Sequence, residues 1–200
     1  MVVIGITGGI GSGKSYVSDL FRKRGIPVFD CDTRAKQITS EDLIVRERLV
    51  RLVGPQVYEG GLLNKAVLAN FLFASKENAQ QVNATIHPQV KKVFREWVAG
   101  KLAADYTVVA MESAILFESG FNAEVDYVLM VHAPLDLRCT RVMKRDHVTL
   151  EDVKRRINSQ MSDSEKISRS DFVLMNDGQG LLEERLDELI SSLNDIKASK

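Results

Sequence analysis

The sequence predicts an α/β fold built on a parallel sheet of about five strands. Residues 2–6 read VVIGI, a continuous apolar run typical of a strand that is buried on both faces. A glycine-rich stretch, an amphipathic segment and a second apolar run at 26–29 follow in that order. One face of the amphipathic segment carries Tyr16, Val17, Leu20 and Phe21. Strand, helix and strand in succession form a βαβ unit, whose strands lie parallel in one sheet.

The other strands of the sheet are expected later in the chain. Apolar runs at 106–111, 126–131 and 172–175 complete the predicted sheet. Two polar helices are expected between the last two strands, the second beginning at Thr149 with a capping box. A final helix, which should pack on the sheet, carries on one face Leu182, Leu186, Leu189 and Leu193.

A helical segment interrupts this alternation from Thr33 to about Ala104. Apolar residues recur there at helical spacing, and no convincing strand pattern appears among them. Breaks are predicted at 54–55 (Gly-Pro), 60–61 (Gly-Gly) and 87–88 (His-Pro). We therefore predict a helical insertion in the α/β core.

The charge balance restricts the classes of ligand. Lys plus Arg and Asp plus Glu number 27 each, so the formal net charge is zero. General binders of nucleic acids or anionic membranes usually carry a basic excess, so we expect neither kind of partner. No apolar segment approaches the ~18 residues that span a bilayer, and the N-terminus lacks the features of a secretory signal. We expect a cytoplasmic protein, and nothing implies an obligatory protein partner.

The glycine-rich stretch after the first strand matches a phosphate-binding motif. Residues 8–15, the phosphate loop, read GGIGSGKS and satisfy G-x-x-x-x-G-K-[ST]. Glycines let consecutive N–H groups point at phosphate oxygens, and the following helix adds its positive N-terminal end. The alternative, a plain glycine-rich turn, does not account for the strand before it and the helix after it. The sequence therefore predicts a P-loop NTPase-type three-layer fold with a nucleotide site at Gly9, Gly11, Ser12, Gly13, Lys14, Ser15 and Tyr16.

Two of these side chains have a specific predicted role beside the phosphates. Lys14 should reach the β- and γ-phosphates, and Ser15 should give its hydroxyl oxygen to Mg²⁺. Glu112 ends the third predicted strand, where P-loop proteins often keep a carboxylate for magnesium-bound water. A strand-end glutamate without that role is the alternative. We predict a Mg²⁺ site at Ser15 and Glu112.

Two aspartates follow the second predicted strand. Asp30 and Asp32 lie at the carboxyl end of a strand, where ligands of doubly wound sheets gather. One aspartate can hold and align an acceptor hydroxyl for phosphoryl transfer. Alternatively, Asp32 caps a helix that begins at Thr33, and the two uses are compatible.

A basic segment lies between the last two strands. Arg138, Arg141 and Arg145 have the spacing of one helix face. A solvated charged surface is the ordinary explanation of such a run. The position of the segment between two core strands favours a lid at 136–166 that brings arginines to the triphosphate.

Taken together, these motifs resemble those of the dephospho-coenzyme A kinases, and they extend over nearly the whole chain. The resemblance begins with IGITGGIGSGKS at residues 4–15 and with the DCD turn at 30–32. It continues through IHP at 86–88 and LFE at 116–118. It also includes Arg141, Arg145-Asp146, Gln160, Lys166, Asp171 and Asn176-Asp177-Gly178. Two departures are Ala114, where the family usually has proline, and Glu112, where aspartate is usual.

The resemblance implies transfer of the γ-phosphoryl group of ATP to the ribose 3′-hydroxyl of dephospho-coenzyme A. By position, Asp32 would be the base, while Lys14 and Arg141 would stabilise phosphoryl charge. Arg145 and Asn176 would contact ATP, although a turn residue is the default for Asn176. The acceptor would contact Asp30, Asp32, Arg34, His87 and Phe117. For His87, which precedes a proline, a helix cap or a packing role is the alternative.

The predicted domains follow from this assignment. Residues 1–32, 105–135 and 167–200 would form the nucleotide-binding core, 33–104 the acceptor-binding insertion, and 136–166 the lid. One competing function is a kinase for another small acceptor, such as a nucleoside monophosphate. Another is a GTPase switch, which is weak because residues 64–67 read NKAV and lack the aspartate of N-K-x-D.

Overall fold

The computed structural model describes residues 1–198, and the chain divides into two compact units. The core unit consists of Met1–Asp30 together with the chain from Val98 onward, and the helical unit is Cys31–Trp97. The predicted functional division into core, insertion at 33–104 and lid at 136–166 stays a prediction. No helix in the described part of the chain combines the length and the apolar character needed to cross a bilayer.

The described residues form both strands and helices. The strands are β1 (Val2–Thr7), β2 (Val28–Asp30), β3 (Tyr58–Glu59), β4 (Leu62–Leu63), β5 (Val108–Glu112), β6 (Tyr127–His132) and β7 (Phe172–Met175). The α-helices are α1 (Lys14–Lys23), α2 (Cys31–Glu41), α3 (Leu43–Val53), α4 (Lys65–Ala74), α5 (Lys76–Ala103), α6 (Leu135–Asp146), α7 (Leu150–Asn158), α8 (Asp163–Ser168) and α9 (Leu182–Ala198). Short 3₁₀ turns occur at Pro55–Val57 and Phe121–Glu124.

A five-stranded parallel sheet forms the centre of the core unit, as predicted. Its strand order is β2-β5-β1-β6-β7, and every neighbouring pair is parallel. All residues of β1 and β5 are buried, which is the pattern of strands covered on both faces. Because β1 is the middle strand, the phosphate loop that follows it begins at the centre of the carboxyl edge.

The helices of the core unit bury apolar faces against this sheet. In α1, Val17, Leu20 and Phe21 are buried, whereas Tyr16 is 48% exposed and does not belong to the apolar face. In α9, Leu186 and Leu193 are fully buried within the same cluster as the β1 residues, and Leu182 and Leu189 pack against it. The predicted packing of the last helix is confirmed. The capping box of α7 is present, and a third helix, α8, follows it where two helices were expected.

The helical unit contains a small hairpin that the sequence did not predict. Strands β3 and β4 pair antiparallel, with two residues each. Gly60 and Gly61 connect them with φ angles of 56° and 82°. Strands of two residues are too short to show an alternating pattern, so only the glycine turn could be read from the sequence.

The predicted break at His87-Pro88 is wrong. Helix α5 is 28 residues long and continues without a break through Pro88. A proline inside a helix removes one hydrogen bond and costs about 3 kcal/mol. Residues at intervals of four are buried on both sides of the proline, and this packing compensates for the cost. They are Val82, Ile86, Val90 and Phe94.

Candidate active site

The phosphate loop leaves β1 at Thr7 and enters α1 at Lys14. Gly11 and Gly13 have φ angles of 79° and 95°, a region that favours glycine. A Cβ atom on Gly13 would lie 2.0 Å from Asn176 Nδ2, and one on Gly9 would lie 2.1 Å from Arg138 Nη2. The glycines are therefore required by backbone conformation and by the close approach of two side chains.

A cavity of about 230 Å³ lies beside this loop. Its walls come from the loop, from the first residues of α1 and from α6. They are Gly11, Gly13, Lys14, Ser15, Tyr16, Arg141, Val142 and Arg145. The structure thus brings together residues from two distant segments that sequence reasoning assigned to one triphosphate site.

Lys14 and Ser15 lie at the start of α1, where the helix presents its positive end. Lys14 Nζ donates to the Gly9 carbonyl at 3.4 Å, so its side chain folds back over the loop. Ser15 Oγ donates to Glu112 Oε1 at 2.8 Å. Glu112 is the last residue of β5, is 8% exposed, and pairs in register with Asp30 at the end of β2.

The chemistry of this donor set fits Mg²⁺. Magnesium prefers oxygen ligands and in nucleotide sites takes one or two carboxylates, with phosphates and waters completing the shell. Ser15 offers a hydroxyl oxygen and Glu112 a carboxylate, and the two touch each other. Among residues 1–198, no three His, Cys, Asp or Glu side chains are grouped as a metal site of their own.

Asn176 connects the phosphate loop to α6. Its Nδ2 donates to the Ser12 carbonyl at 2.8 Å. Arg141 donates to the Asn176 carbonyl at 3.2 Å and to Asn176 Oδ1 at 3.3 Å. These hydrogen bonds hold Arg141 beside the loop. The predicted contact of Asn176 with ATP stays a prediction.

A second cavity of about 260 Å³ adjoins Asn176 and Tyr16. The exposed Tyr16 lines both this cavity and the one beside the loop, and its hydroxyl donates to Glu183 Oε1 at 3.3 Å. The other walls are Asp177, Gly178, Gly180, Leu182 and Glu183. Tyr16 therefore faces two cavities and not the core, and its predicted contact with nucleotide stays a prediction.

The three arginines of α6 do not share one environment. Arg141 and Arg145 line the cavity, whereas Arg138 is 2% exposed and donates from Nε to the Ile10 carbonyl at 2.8 Å. Arg138 also forms an ion pair with Asp163. Spacing groups Arg138 with the other two arginines of the predicted lid. It does not reveal the contact with the loop, because the partner lies 128 residues away.

Arg145 is fixed by a carboxylate at the end of its own helix. Asp146 accepts from Arg145 Nε at 2.6 Å and Nη2 at 3.0 Å, and from Arg156 Nη1 at 2.8 Å. These hydrogen bonds, above all those from Arg145, lower the pKa of Asp146 to about 2. The same contact raises the pKa of Arg145.

Phe117, in the segment after β5, is buried, with only 7% of the residue exposed. Arg169 lies over its ring, 4.5 Å from the centroid. Phe117 therefore has a cationic neighbour on one face. Its predicted contact with the acceptor stays a prediction.

The remaining predicted acceptor residues, Asp32, Arg34 and His87, belong to the helical unit. Helix α2 begins at Cys31, so Asp32 lies in its first turn and is not the cap of a helix beginning at Thr33. Arg34 is exposed and donates to Gln37 Oε1 at 2.8 Å. His87 lies inside α5, and burial lowers the pKa of its imidazole, with the nearby Lys91 adding to the effect.

Comparison with known proteins identifies the family to which these features belong. The family model described as dephospho-CoA kinase matches residues 2–181. A dephospho-CoA kinase of Bacteroides fragilis is 50% identical over 192 residues, which cover 96% of this chain and 93% of that protein. A crystal structure of a Thermus thermophilus protein is 35% identical, with 96% of each chain covered and a TM-score of 0.85. A dephospho-CoA kinase from Campylobacter jejuni, 22% identical over 96% of each chain, has the same fold with a TM-score of 0.71. The chain therefore belongs to the dephospho-CoA kinase family.

Proposed function

We propose that this chain transfers the γ-phosphoryl group of ATP to the ribose 3′-hydroxyl of dephospho-coenzyme A and releases coenzyme A and ADP. The observation that supports it most directly is the cavity beside the phosphate loop. There Lys14 and Ser15 of the loop meet Arg141 and Arg145 of α6. Positive charge therefore surrounds this cavity from the loop and from α6. This arrangement suits phosphoryl transfer, because negative charge spreads over the phosphoryl oxygens in the transition state.

The phosphate loop would bind the triphosphate mainly through backbone N–H groups. Lys14 would neutralise charge on the β- and γ-phosphates, and Arg141, already held by Asn176, would act on the transferring group. Because Asn176 orients the Arg141 guanidinium, less side-chain entropy would be lost when this group binds phosphate. Arg145 and Tyr16 would complete the nucleotide contacts at the rim of the cavity.

A magnesium ion would be held by Ser15 and Glu112. When bound, Mg²⁺ neutralises charge on the β- and γ-phosphate oxygens and helps align them for transfer. The hydroxyl proton of Ser15 points at Glu112 in the hydrogen bond between them, so the oxygen lone pairs are directed elsewhere. Glu112 would keep Ser15 in this orientation and, through water, would contact the ion.

The helical unit would bind the acceptor. Asp32 would accept the proton of the attacking hydroxyl and align its lone pair with the γ-phosphorus. Asp30, Arg34, His87 and Phe117 would contribute contacts to dephospho-coenzyme A. Remote contacts to a long acceptor can be used to orient the reacting hydroxyl. The cytoplasmic location and the independence from an obligatory protein partner stay predictions from the sequence.

A panel of acceptors tests the proposed function. With ATP and magnesium, the protein should phosphorylate dephospho-coenzyme A far better than AMP, CMP, UMP or adenosine, because only the long acceptor offers the remote contacts. The measurement is kcat/KM for each acceptor by coupled detection of ADP. Equal turnover of any nucleoside monophosphate would contradict the named acceptor and leave a P-loop kinase of another specificity.

A further inference from the structure

Ile10, between two glycines of the phosphate loop, has both of its backbone polar groups bound by distant side chains. Its N–H donates to Gln160 Oε1 at 3.1 Å. Its carbonyl accepts from Arg138 Nε at 2.8 Å. One peptide segment of the loop is therefore fixed from two directions by residues that do not line the phosphate cavity.

The side chain of Ile10 makes a third contact that fixes the loop. It packs against a small apolar cluster formed between α6 and α7. The buried members of this cluster are Cys139, Val142 and Val153, with Val148 and Ile157 at its edge. A displacement of Ile10 would therefore break two hydrogen bonds and expose apolar surface together.

Arg138 is fixed in the position from which it binds the loop. It is 2% exposed and paired with Asp163 at the start of α8. Its guanidinium lies so close to Gly9 that a Cβ atom there would be 2.1 Å from Nη2. Asp163 thus compensates the buried charge of Arg138. The planar guanidinium lies against the loop backbone at Gly9.

Gln160 is fixed through the residue that follows it. Met161 donates its N–H to Glu118 Oε1 at 2.9 Å, and the same oxygen lies 3.0 Å from the fully buried Lys166 Nζ. Lys166 also donates to the Ala114 carbonyl at 2.7 Å. The Gln160 backbone is therefore tied to the segment that follows β5.

We propose that Gln160 is a positioning residue for phosphoryl transfer, which acts by holding the Ile10 N–H while Arg138 holds the Ile10 carbonyl. Phosphate binding requires the loop N–H groups to point at the same phosphate. A loop that also adopts other conformations can bind phosphate for only part of the time. The apparent dissociation constant equals the intrinsic constant divided by the fraction of time for which the loop is competent. This inference rests on the proposed function of the phosphate loop and adds the residues that set its shape.

Two substitutions of Gln160 separate this role from general packing. Gln160→Met keeps the length of the side chain and removes the oxygen acceptor, whereas Gln160→Glu keeps the oxygen. Calorimetric titration with ADP and magnesium, at an ionic strength that screens the added charge, gives the affinity of each variant. We expect about fivefold to tenfold weaker ADP binding for Gln160→Met, the usual effect of one hydrogen bond, and nearly normal binding for Gln160→Glu. The KM for dephospho-coenzyme A should not change in either variant.

A neighbouring amide and a direct probe of the loop serve as controls. Asn158 is exposed on the last turn of α7, and Asn158→Leu should bind ADP normally. Hydrogen exchange at the Ile10 amide should be faster in Gln160→Met without nucleotide. Normal ADP affinity or unchanged Ile10 exchange in Gln160→Met would overturn the inference and leave the proposed function intact. A wild-type protein that fails to bind ADP would overturn both.

Discussion

Side chains around the phosphate loop are bound to one another by hydrogen bonds. Asn176 accepts from Arg141 and donates to Ser12, and Ser15 donates to Glu112. Such contacts hold catalytic groups near their working positions, which reduces the entropy lost on binding. The cationic side chains of the site share this property, since Lys14 bonds the Gly9 carbonyl, Arg141 bonds Asn176 and Arg145 bonds Asp146.

Lys14→Ala tests the central charge of the loop. Removing one preorganised donor from a transferring group should raise the activation barrier by about 3 kcal/mol, roughly a hundredfold in kcat. The matched control is Lys23→Ala at the opposite end of α1, which should keep normal turnover. Thermal unfolding followed by circular dichroism checks that both variants fold. Near-normal kcat in Lys14→Ala would contradict the assignment of this lysine.

Asp32→Asn tests the proposed base. The amide cannot take up the hydroxyl proton, so kcat should fall by about 10²- to 10⁴-fold while ATP affinity stays unchanged. Glu41→Gln at the other end of α2 removes a carboxylate from the same helix and should have little effect. Rapid-quench measurement of the single-turnover rate separates chemistry from product release. Should ATP affinity collapse at an unchanged rate, Asp32 would belong to nucleotide or metal binding.

Sequence patterns predicted the elements better than they predicted long-range contacts. The five parallel strands and the packing face of α9 follow from local hydrophobic patterns, and both are confirmed. Local rules predict a helix end at Pro88, because they do not weigh the apolar residues buried on both sides of it. Spacing groups Arg138 with Arg141, although Asp163 and Ile10, which lie in other segments, determine where the Arg138 side chain points. Tertiary partners of this kind leave no periodic trace in the sequence.

The hydrogen bonds that Asp146 accepts from Arg145 of the same helix and from Arg156 of α7 should make stability depend on pH. The pKa of Asp146 falls from 3.8 to about 2 in the folded protein, chiefly through Arg145 and also through Arg156. A lowered carboxyl pKa means that the contact stabilises the fold above pH 3.8, and that this contribution is lost as the pH falls toward about 2.

Asp146→Asn should therefore have a lower melting temperature than the wild-type protein at neutral pH. This difference in melting temperature should shrink as the pH falls from 3.8 toward about 2. The measurement is a series of thermal unfolding curves against pH. Asp136→Asn, in the first turn of α6, controls for the loss of one negative charge. If the difference in melting temperature stays constant down to a pH of about 2, the hydrogen bonds to Asp146 are not its cause.

At the scale of the whole molecule, nucleotide binding and folding are linked through β1. This strand lies in the middle of the sheet, and the phosphate loop continues directly from it. A ligand that binds only the folded loop stabilises the protein, by about 2.7 kcal/mol at a hundred times its Kd.

ADP with magnesium should accordingly raise the melting temperature of the wild-type protein in a concentration-dependent manner. Lys14→Ala should show a smaller rise at the same ADP concentration, since it binds the phosphates less tightly. Differential scanning fluorimetry over a range of ADP concentrations provides the measurement. An equal rise in both proteins would mean that ADP binds elsewhere than the loop.

The central position of β1 also determines when this site can form during synthesis. The first strand leaves the ribosome long before its two neighbours, since β5 begins at Val108 and β6 ends at His132. At about 5 to 20 residues per second, the nascent β1 waits on the order of 5 to 20 s for its partners. The compact Cys31–Trp97 unit is completed during that wait. Cellular ATP therefore cannot assist the folding of the nascent chain until β6 has been translated.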